Sequence, residues 1–423
     1  MKETLSTEEK APRAFLIGIR DNKISKKEAE SLGRELLDLC GTLGLEIAGQ
    51  ETVHIRENHA QYGMGTGKAA ELSEKAIELA ADCLVFDRDI SPSQQRNWEE
   101  LTGISVIDRQ ELIIQIFSGR ARTREADLQV SLAELYYSLP RLQHKYIDLN
   151  RQRGGRYGTK GSGETRLETD RRLVEQRIHR LEEELETVRR QRDTQRKQRQ
   201  KQGMQVCAIV GYTNAGKSTL LNALTGAEVL AEDKLFATLD STSRRLLLPG
   251  GLPILLVDTV GFIRRLPHNL VNAFRSTLEE ASLSDLLIHV LDASDPDAPA
   301  YYDTTLQVLR ELGADKVPML TVLNKADRPE ASAYIEDLKT RYEGAIPLSA
   351  STGEGLSDLL ARMESLLAGA VQSFRFPHAR SDLAAMLHRS GTVLSEKYED
   401  EFIEMDARVD ERTAGKLKEF VVG

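Results

Sequence analysis

Cysteine is scarce: Cys40, Cys83 and Cys207 are the only 3 in 423 residues, and their spacing matches no disulfide or metal pattern. They sit in apolar surroundings, as reduced core residues of a cytosolic protein do. No run of 18 apolar residues occurs, so no membrane-spanning helix is expected. Met1 to Pro12 is charged and has no apolar h-region, so no signal peptide is expected either. Positive charge is in deficit, with a net of −9, but unevenly. Residues 151–201 hold 16 Lys and Arg against 9 Asp and Glu, a net of +7 that leaves −16 for the rest. One basic segment in an acidic chain points to a local polyanion contact and away from general nucleic-acid coating. Apolar residues make up 40% of the chain, enough for real cores, and the length allows two to four domains.

The most specific stretch is Gly211-Tyr212-Thr213-Asn214-Ala215-Gly216-Lys217-Ser218. A β-branched run, Gln205 to Val210, precedes it, and helix-like Thr219 to Leu224 follows. Strand, G-x-x-x-x-G-K-[ST], then helix is a phosphate-binding loop in its required context. Backbone N–H groups and the positive end of a helix surround the polyphosphate. Lys217 supplies a point charge to the β- and γ-phosphates, and the Ser218 hydroxyl can ligate Mg²⁺. Further along, a strand-like run ends in Asp258-Thr259-Val260-Gly261. This D-x-x-G offers a carboxylate to Mg²⁺ through water and the Gly261 N–H to a γ-phosphate. Another strand-like run ends in Asn324-Lys325-Ala326-Asp327, whose last carboxylate matches the N1–H and N2–H₂ edge of guanine. Adenine has no such donor pair. Ser349-Ala350 suits a base-contacting loop. Phe236-Ala237-Thr238-Leu239-Asp240 suits a first switch, with Thr238 as the second Mg²⁺ ligand and Thr242 as its competitor. Lys217, Thr238 and Gly261 are the catalytic candidates. The order of the motifs is that of Ras-like GTPases.

Around this core the expected fold is α/β, with boundaries at 1–120, 121–202, 203–370 and 371–423. Residues 13–120 alternate strand-like and helix-like stretches, which predicts a small parallel α/β domain. Within it, Tyr62 to Lys68 resembles a phosphate loop but has Ala69 where Ser or Thr belongs. It reads as a tight strand-to-helix connection or as a weak second nucleotide or RNA-phosphate site. Leu128, Leu132, Leu135, Leu139, Leu142, Tyr146 and Leu149 are spaced 4-3-4-3-4-3, and Val174, Ile178, Leu181, Leu185 and Val188 repeat that spacing. Two coiled-coil arms therefore form an antiparallel hairpin of about 40–50 Å, with Pro140 bending the first arm. Its Gly-rich tip carries Arg153, Arg156, Tyr157 and Lys160, side chains suited to RNA phosphates and base stacking. Residues 189–201 lose the apolar seam and read as a helical linker into the Ras-like GTPase domain. Residues 371–423 read strand, helix, strand, strand, helix: a small α+β contact module.

Ser91-Pro92-Ser93-Gln94-Gln95-Arg96-Asn97, Arg120 to Ala126, Gly163 to Asp170 and Phe236 to Asp240 together resemble the HflX family of ribosome-associated GTPases over its full length. The resemblance implies binding to the large ribosomal subunit, with the hairpin tip near the ribosomal RNA of the peptidyl-transferase centre. It also implies splitting of stalled or idle 70S ribosomes under stress, with ribosome-stimulated GTP hydrolysis. The expected protein is cytoplasmic, associates with ribosomes or the membrane periphery, and is a monomer off the ribosome. Some members also hydrolyse ATP, for which the Gly67-Lys68 loop gives no independent support. An assembly placeholder on the large subunit needs the same motifs, and a role in tRNA modification or proteolysis would leave the basic tip unused.

The expected ligands are GTP or GDP, Mg²⁺ and, as a hypothesis, K⁺. Ras-type enzymes carry a water-orienting Gln after the D-x-x-G glycine; here Phe262 stands there. Slow intrinsic hydrolysis follows, with a partner or a monovalent cation completing the site. Asn214 either coordinates K⁺ or braces the switch loops.

Overall fold

The computed structural model describes residues 11–152, 162–201, 204–226, 235, 236, 239, 242–265, 270, 275–367, 371–399, 401–409 and 411–422. The chain divides into two compact units. One comprises 1–189, 233–239 and 265–274, and the other comprises 190–232, 240–264 and 275–423.

The first unit opens with alternating strands and helices. These are β1 (Arg13–Arg20), α1 (Lys26–Leu43), β2 (Glu46–His54), α2 (Thr66–Glu78), β3 (Cys83–Phe86), α3 (Pro92–Thr102), β4 (Ser105–Ile107) and α4 (Arg109–Arg120). The strands form a parallel sheet in the order β2-β1-β3-β4, as the alternation predicts. Local chemistry sets the helix ends. Ser25 and Asp108 accept the first-turn N–H groups of Glu28 and Glu111. Ser91 and Gln94 make a capping box before Pro92. Trp98 and Phe86 pack in the core of this sheet, with ring centroids 5.3 Å apart. The buried Cys40 and Cys83 thiols are pushed up to about 12 and about 11, so neither is a reactive thiolate.

The helical arms follow as α5 (Arg124–Gln152) and α6 (Ser162–Lys201). Leu128 and Leu132 pack against Ile178 and Leu185, flanked by Leu135, Leu139, Val174, Leu181 and Val188. The predicted seam is thus present, and α6 continues helical through the linker to 40 residues. The helix α5 is unbroken across Pro140. Just after it, Arg141 pins α5 to α3 and the segments that open α3 and α4: it donates to Gln95 Oε1 at 2.8 Å, Ile90 O at 3.2 Å and Asp108 Oδ2 at 2.9 Å. Burial raises the Asp108 carboxyl to about 6 even so. The side chains of Tyr146 and Leu149 lie outside the described residues, as do Arg153, Arg156, Tyr157 and Lys160.

The second unit contains β5 (Gln205–Gly211), α7 (Lys217–Thr225), β6 (Thr242–Leu247), β7 (Pro253–Asp258), β8 (Leu286–Asp292), β9 (Met319–Asn324) and β10 (Ile346–Pro347). The order is β10-β9-β8-β5-β7-β6, parallel except for β6 against β7. Helices Arg275–Ser282, Ala298–Glu311, Ile335–Arg341 and Leu356–Leu367 complete the layers. A third sheet is antiparallel, in the order β12-β13-β11-β14: β11 (Val371–Pro377), β12 (Gly391–Tyr398), β13 (Phe402–Val409) and β14 (Val421–Val422). Its helix Ser381–Ser390 follows the prediction, but the last helix stops at Lys416. The chain then makes a short 3₁₀ turn and a two-residue strand on β11, too short for a periodicity to reveal. Among the described residues, no helix is long and apolar enough to cross a membrane.

One core residue departs from apolar patterning. His289 on β8 is 0% exposed, and neither ring nitrogen has a hydrogen-bond partner among the described residues. Its ring lies 4.9 Å from that of Tyr302. Burial, with the charge of Lys217, pushes its pKa down to about 3. The folded state therefore holds it neutral while the unfolded chain takes up a proton near pH 6.5. Stability is complete above that pH and is lost as pH falls through it toward 3. Replacing the imidazole by an apolar side chain removes both the unpaired nitrogens and the proton linkage. His289→Leu is expected to raise the melting temperature by a few degrees at pH 8, for about 1–3 kcal/mol. The gain should be larger at pH 5; thermal unfolding at both pH values measures it.

Candidate functional site

The phosphate loop runs from the end of β5 into α7, and three glycines shape it. At Gly211 an added Cβ would lie 2.3 Å from Val290 O, and at Gly216 it would lie 2.3 Å from Asn324 Nδ2. Both have positive φ, 147° and 92°, so a side chain is excluded by space and conformation alike. At Gly261 a Cβ would meet Thr213 Cα at 2.7 Å and Lys217 Nζ at 2.9 Å. The D-x-x-G turn is thus pressed against the phosphate loop. Asn214 takes φ 60°, a left-handed conformation that asparagine tolerates.

Lys217 is buried and donates to Tyr212 O at 2.8 Å. Burial lowers its pKa to about 8, against the raising effect of Asp258. Ser218 Oγ donates to Asp258 Oδ2 at 2.6 Å. Thr259 donates twice to Ile209 O, from N at 3.3 Å and from Oγ1 at 2.7 Å, which locks the turn to β5. The motifs predicted for phosphate and metal therefore meet in space. A hydroxyl and a carboxylate in contact form an oxygen-only donor set that suits a hard divalent cation.

The N-K-x-D segment meets the same loop from the end of β9. Asn324 Nδ2 donates to Ala215 O at 2.8 Å, while its Oδ1 accepts from Ala350 N at 3.0 Å. One side chain thus ties the phosphate loop to the Ser349-Ala350 loop. Lys325 donates to Asn214 O at 2.9 Å and pairs with Asp292 at 2.7 Å. Asp327 is exposed at the rim, and hydrogen bonds from Ser349 and Ser351 hold its carboxyl below the usual range. An ionised acceptor there is what a guanine N1–H and N2–H₂ edge requires.

Of the predicted first switch, Ala237, Thr238 and Asp240 lie outside the described residues. Phe236 is buried within the first unit, its ring 4.6 Å from that of Phe117 on α4, and Leu239 is buried as well. Thr242 opens β6. Lys68, in the second loop, is ion-paired with Glu51 at 2.6 Å and Glu71 at 2.8 Å, which supports the reading of that loop as a strand-to-helix connection. Sequence reasoning missed Asp292, Tyr301 and Arg264. Asp292 ends β8 in the same way that Asp258 ends β7, a signal that was available; the other two belong to no motif.

A family model described as GTP-binding GTPase N-terminal matches residues 30–118, and the one described as GTP-binding GTPase Middle Region matches 120–199. A third, 50S ribosome-binding GTPase, matches 206–325. The chain is 48% identical to GTPase HflX of Akkermansia muciniphila over 100% of this chain and 99% of that one. With GTPase HflX of Escherichia coli strain K12 it shares 40% identity, covering 89% and 88%. Among solved structures, a GTP-binding protein from Sulfolobus solfataricus in complex with GDP is 24% identical. It covers 84% of this chain and 98% of that one, with a TM-score of 0.43.

Two substitutions probe the candidate site. Gly261→Ala places a methyl group against Thr213 and Lys217, and is expected to lower GTP turnover by about 10²–10³, the usual effect of losing one preorganised donor. Single-turnover hydrolysis at saturating GTP measures it. Asp327→Asn replaces an acceptor pair by one acceptor and one donor. GTP affinity should fall by on the order of 100-fold, the value of a bidentate base contact, while xanthosine triphosphate gains. Competition binding with both nucleotides gives the ratio.

Proposed function

Since the chain belongs to the HflX family of GTPases, and so binds and hydrolyses GTP, we propose that it acts on the large ribosomal subunit and splits stalled or idle 70S ribosomes. The observation that carries this reading is the pairing of a GTPase core matching a 50S ribosome-binding family with a coiled-coil stalk. Between the two arms lies the sequence 153–161, with Arg153, Arg156, Tyr157 and Lys160 among glycines. Guanidiniums pair with phosphates bidentately, and a tyrosine ring stacks on bases. A stalk of this kind extends a basic tip into ribosomal RNA near the peptidyl-transferase centre. The proposed organisation is an N-terminal α/β domain (1–120), the hairpin (121–202), the GTPase domain (203–370) and a C-terminal contact module (371–423).

In the proposed mechanism Lys217 and the loop N–H groups neutralise and position the phosphates. The Gly261 N–H donates to the γ-phosphate, and Asn324, Lys325 and Asp327 select guanine. Ser218 and Asp258, with Thr238 from the first switch, are the residues that would hold Mg²⁺, which neutralises charge on the β- and γ-phosphates. The Phe262 side chain is 2% exposed and offers no hydrogen bond to an attacking water. Hydrolysis is therefore slow alone and completed from outside. Asn214, whose side chain is exposed at the phosphate loop, is the proposed K⁺ ligand. A monovalent cation there would stabilise charge that develops in transfer. The GTP state orders the switches for binding to the subunit, and hydrolysis permits release.

GTP turnover with and without purified large subunits, in K⁺ buffer at moderate salt, tests the reading. Stimulation by at least about tenfold is expected, and Arg153→Glu/Arg156→Glu/Lys160→Glu should abolish it at unchanged GTP affinity. Intact stimulation in that triple variant would refute tip contact. In cells lacking the protein, excess 70S ribosomes support splitting, whereas accumulated assembly intermediates would replace it by the placeholder role. Equal turnover in Na⁺ and K⁺ buffers would remove the cation.

A further inference from the structure

The contact between the D-x-x-G segment and the phosphate loop does not stop at Gly261. Phe262 N–H donates to Gly211 O at 3.1 Å, and Thr213 N–H donates to Phe262 O at 2.8 Å. These bonds form a short parallel bridge between Tyr212 and Phe262. Two residues further on, Arg264 N–H donates to the Tyr212 phenol oxygen at 2.9 Å. The Tyr212 ring is buried and stacks on Tyr301 with centroids 4.0 Å apart and planes within 16°. The Arg264 guanidinium also lies 5.3 Å from the Tyr301 ring. One residue therefore makes three kinds of attachment. Its carbonyl takes the Lys217 ammonium, its backbone bridges to Phe262, and its phenol holds the chain beyond.

Gly261 is thereby gripped from both sides. Upstream, Thr259 is bonded to Ile209 O; downstream, Phe262 and Arg264 are bonded to the phosphate loop and its tyrosine. The positional freedom of the Gly261 N–H is set by these anchors. Only GTP has a γ-phosphate for that donor to meet, and a donor aimed at developing charge acts on the chemical step.

We propose that Tyr212 is a positioning residue for GTP hydrolysis: its phenol oxygen holds the Arg264 N–H and so fixes the Gly261 N–H at the γ-phosphate. This rests on the reading that residues 211–218 and 258–261 hold the nucleotide. The backbone from Asp258 to Arg264 is then a wall of the site anchored on both sides of Gly261.

Tyr212→Phe in the full-length chain removes the acceptor and keeps the ring on Tyr301. The expected result is a three- to tenfold fall in kcat, about the value of one neutral hydrogen bond. KM for GTP and Kd for GDP should stay within about twofold of the wild type. Unchanged kcat in Tyr212→Phe would overturn the proposal. So would a parallel loss of GDP affinity and melting temperature, which marks a merely structural tyrosine. A measurement that needs no variant is amide exchange at Arg264 in the wild type bound to a non-hydrolysable GTP analogue. Slow exchange supports the proposal, and exchange at the unprotected rate overturns it. If the wild type bound neither GDP nor GTP, the site reading itself would fail, and this proposal with it.

Discussion

Close approach of backbones is the constraint on which the candidate site depends. Three segments meet at distances that no side chain allows: a Cβ at Gly211, Gly216 or Gly261 would lie 2.3 to 2.7 Å from a neighbouring atom. Such contact leaves backbone N–H groups and one lysine as the surface offered to a ligand, which is the chemistry of a polyphosphate cradle. The side chains that hold the cradle do so by bonding its backbone carbonyls. Asn324 spends both its amide atoms on Ala215 and Ala350, and Lys325 spends its ammonium on Asn214 and Asp292. Neither contact can shift without moving the loop.

The motifs were legible because each needs a fixed residue at a fixed place. Glycine without a Cβ, lysine with one long reach and aspartate at a strand end cannot be exchanged for similar residues, so the sequence displays them in order. The supports are less legible because many residues could make them. A tyrosine accepting from a backbone N–H three residues past the D-x-x-G glycine follows from no spacing rule. Nor does the stacking of Tyr212 on Tyr301, which comes from a helix more than 80 residues away in the chain. His289 sits in an apolar strand run, where patterning expects a hydrophobic residue. Its desolvation shows only once the sheet is covered on both faces.

The rest of the fold divides along the same line. Heptad spacing in 128–139 and 174–188 predicted which leucines meet, since a 3.5-residue repeat has one way to bury its stripe. The capping box at Ser91 and the caps at Ser25 and Asp108 mark helix starts by local hydrogen bonding alone. By contrast, β14 has two residues, and its pairing with β11 depends on where a 3₁₀ turn leaves the chain. The Arg141 anchor is likewise a tertiary fact. A guanidinium one residue after Pro140 bonds two carbonyl-type acceptors and a buried carboxylate, which ties the stalk to α3 and the start of α4. The register of the arms could be read from the sequence; their attachment could not.

If the protein is the RNA-driven switch proposed above, these features carry different burdens in it. Phe262 is buried and its backbone is bonded on both sides, so the position that would carry a mobile catalytic side chain is rigid. At this position, among the described residues, a site built that way offers no side chain that orients water. Nucleotide binding and nucleotide hydrolysis are thereby separated in the structure. In the proposed mechanism the cradle supplies the first, while the second waits for a group or cation from outside this wall. For a factor proposed to remain in its GTP form until it has reached its partner, a stiff wall that withholds the last catalytic group is a physical means of delay.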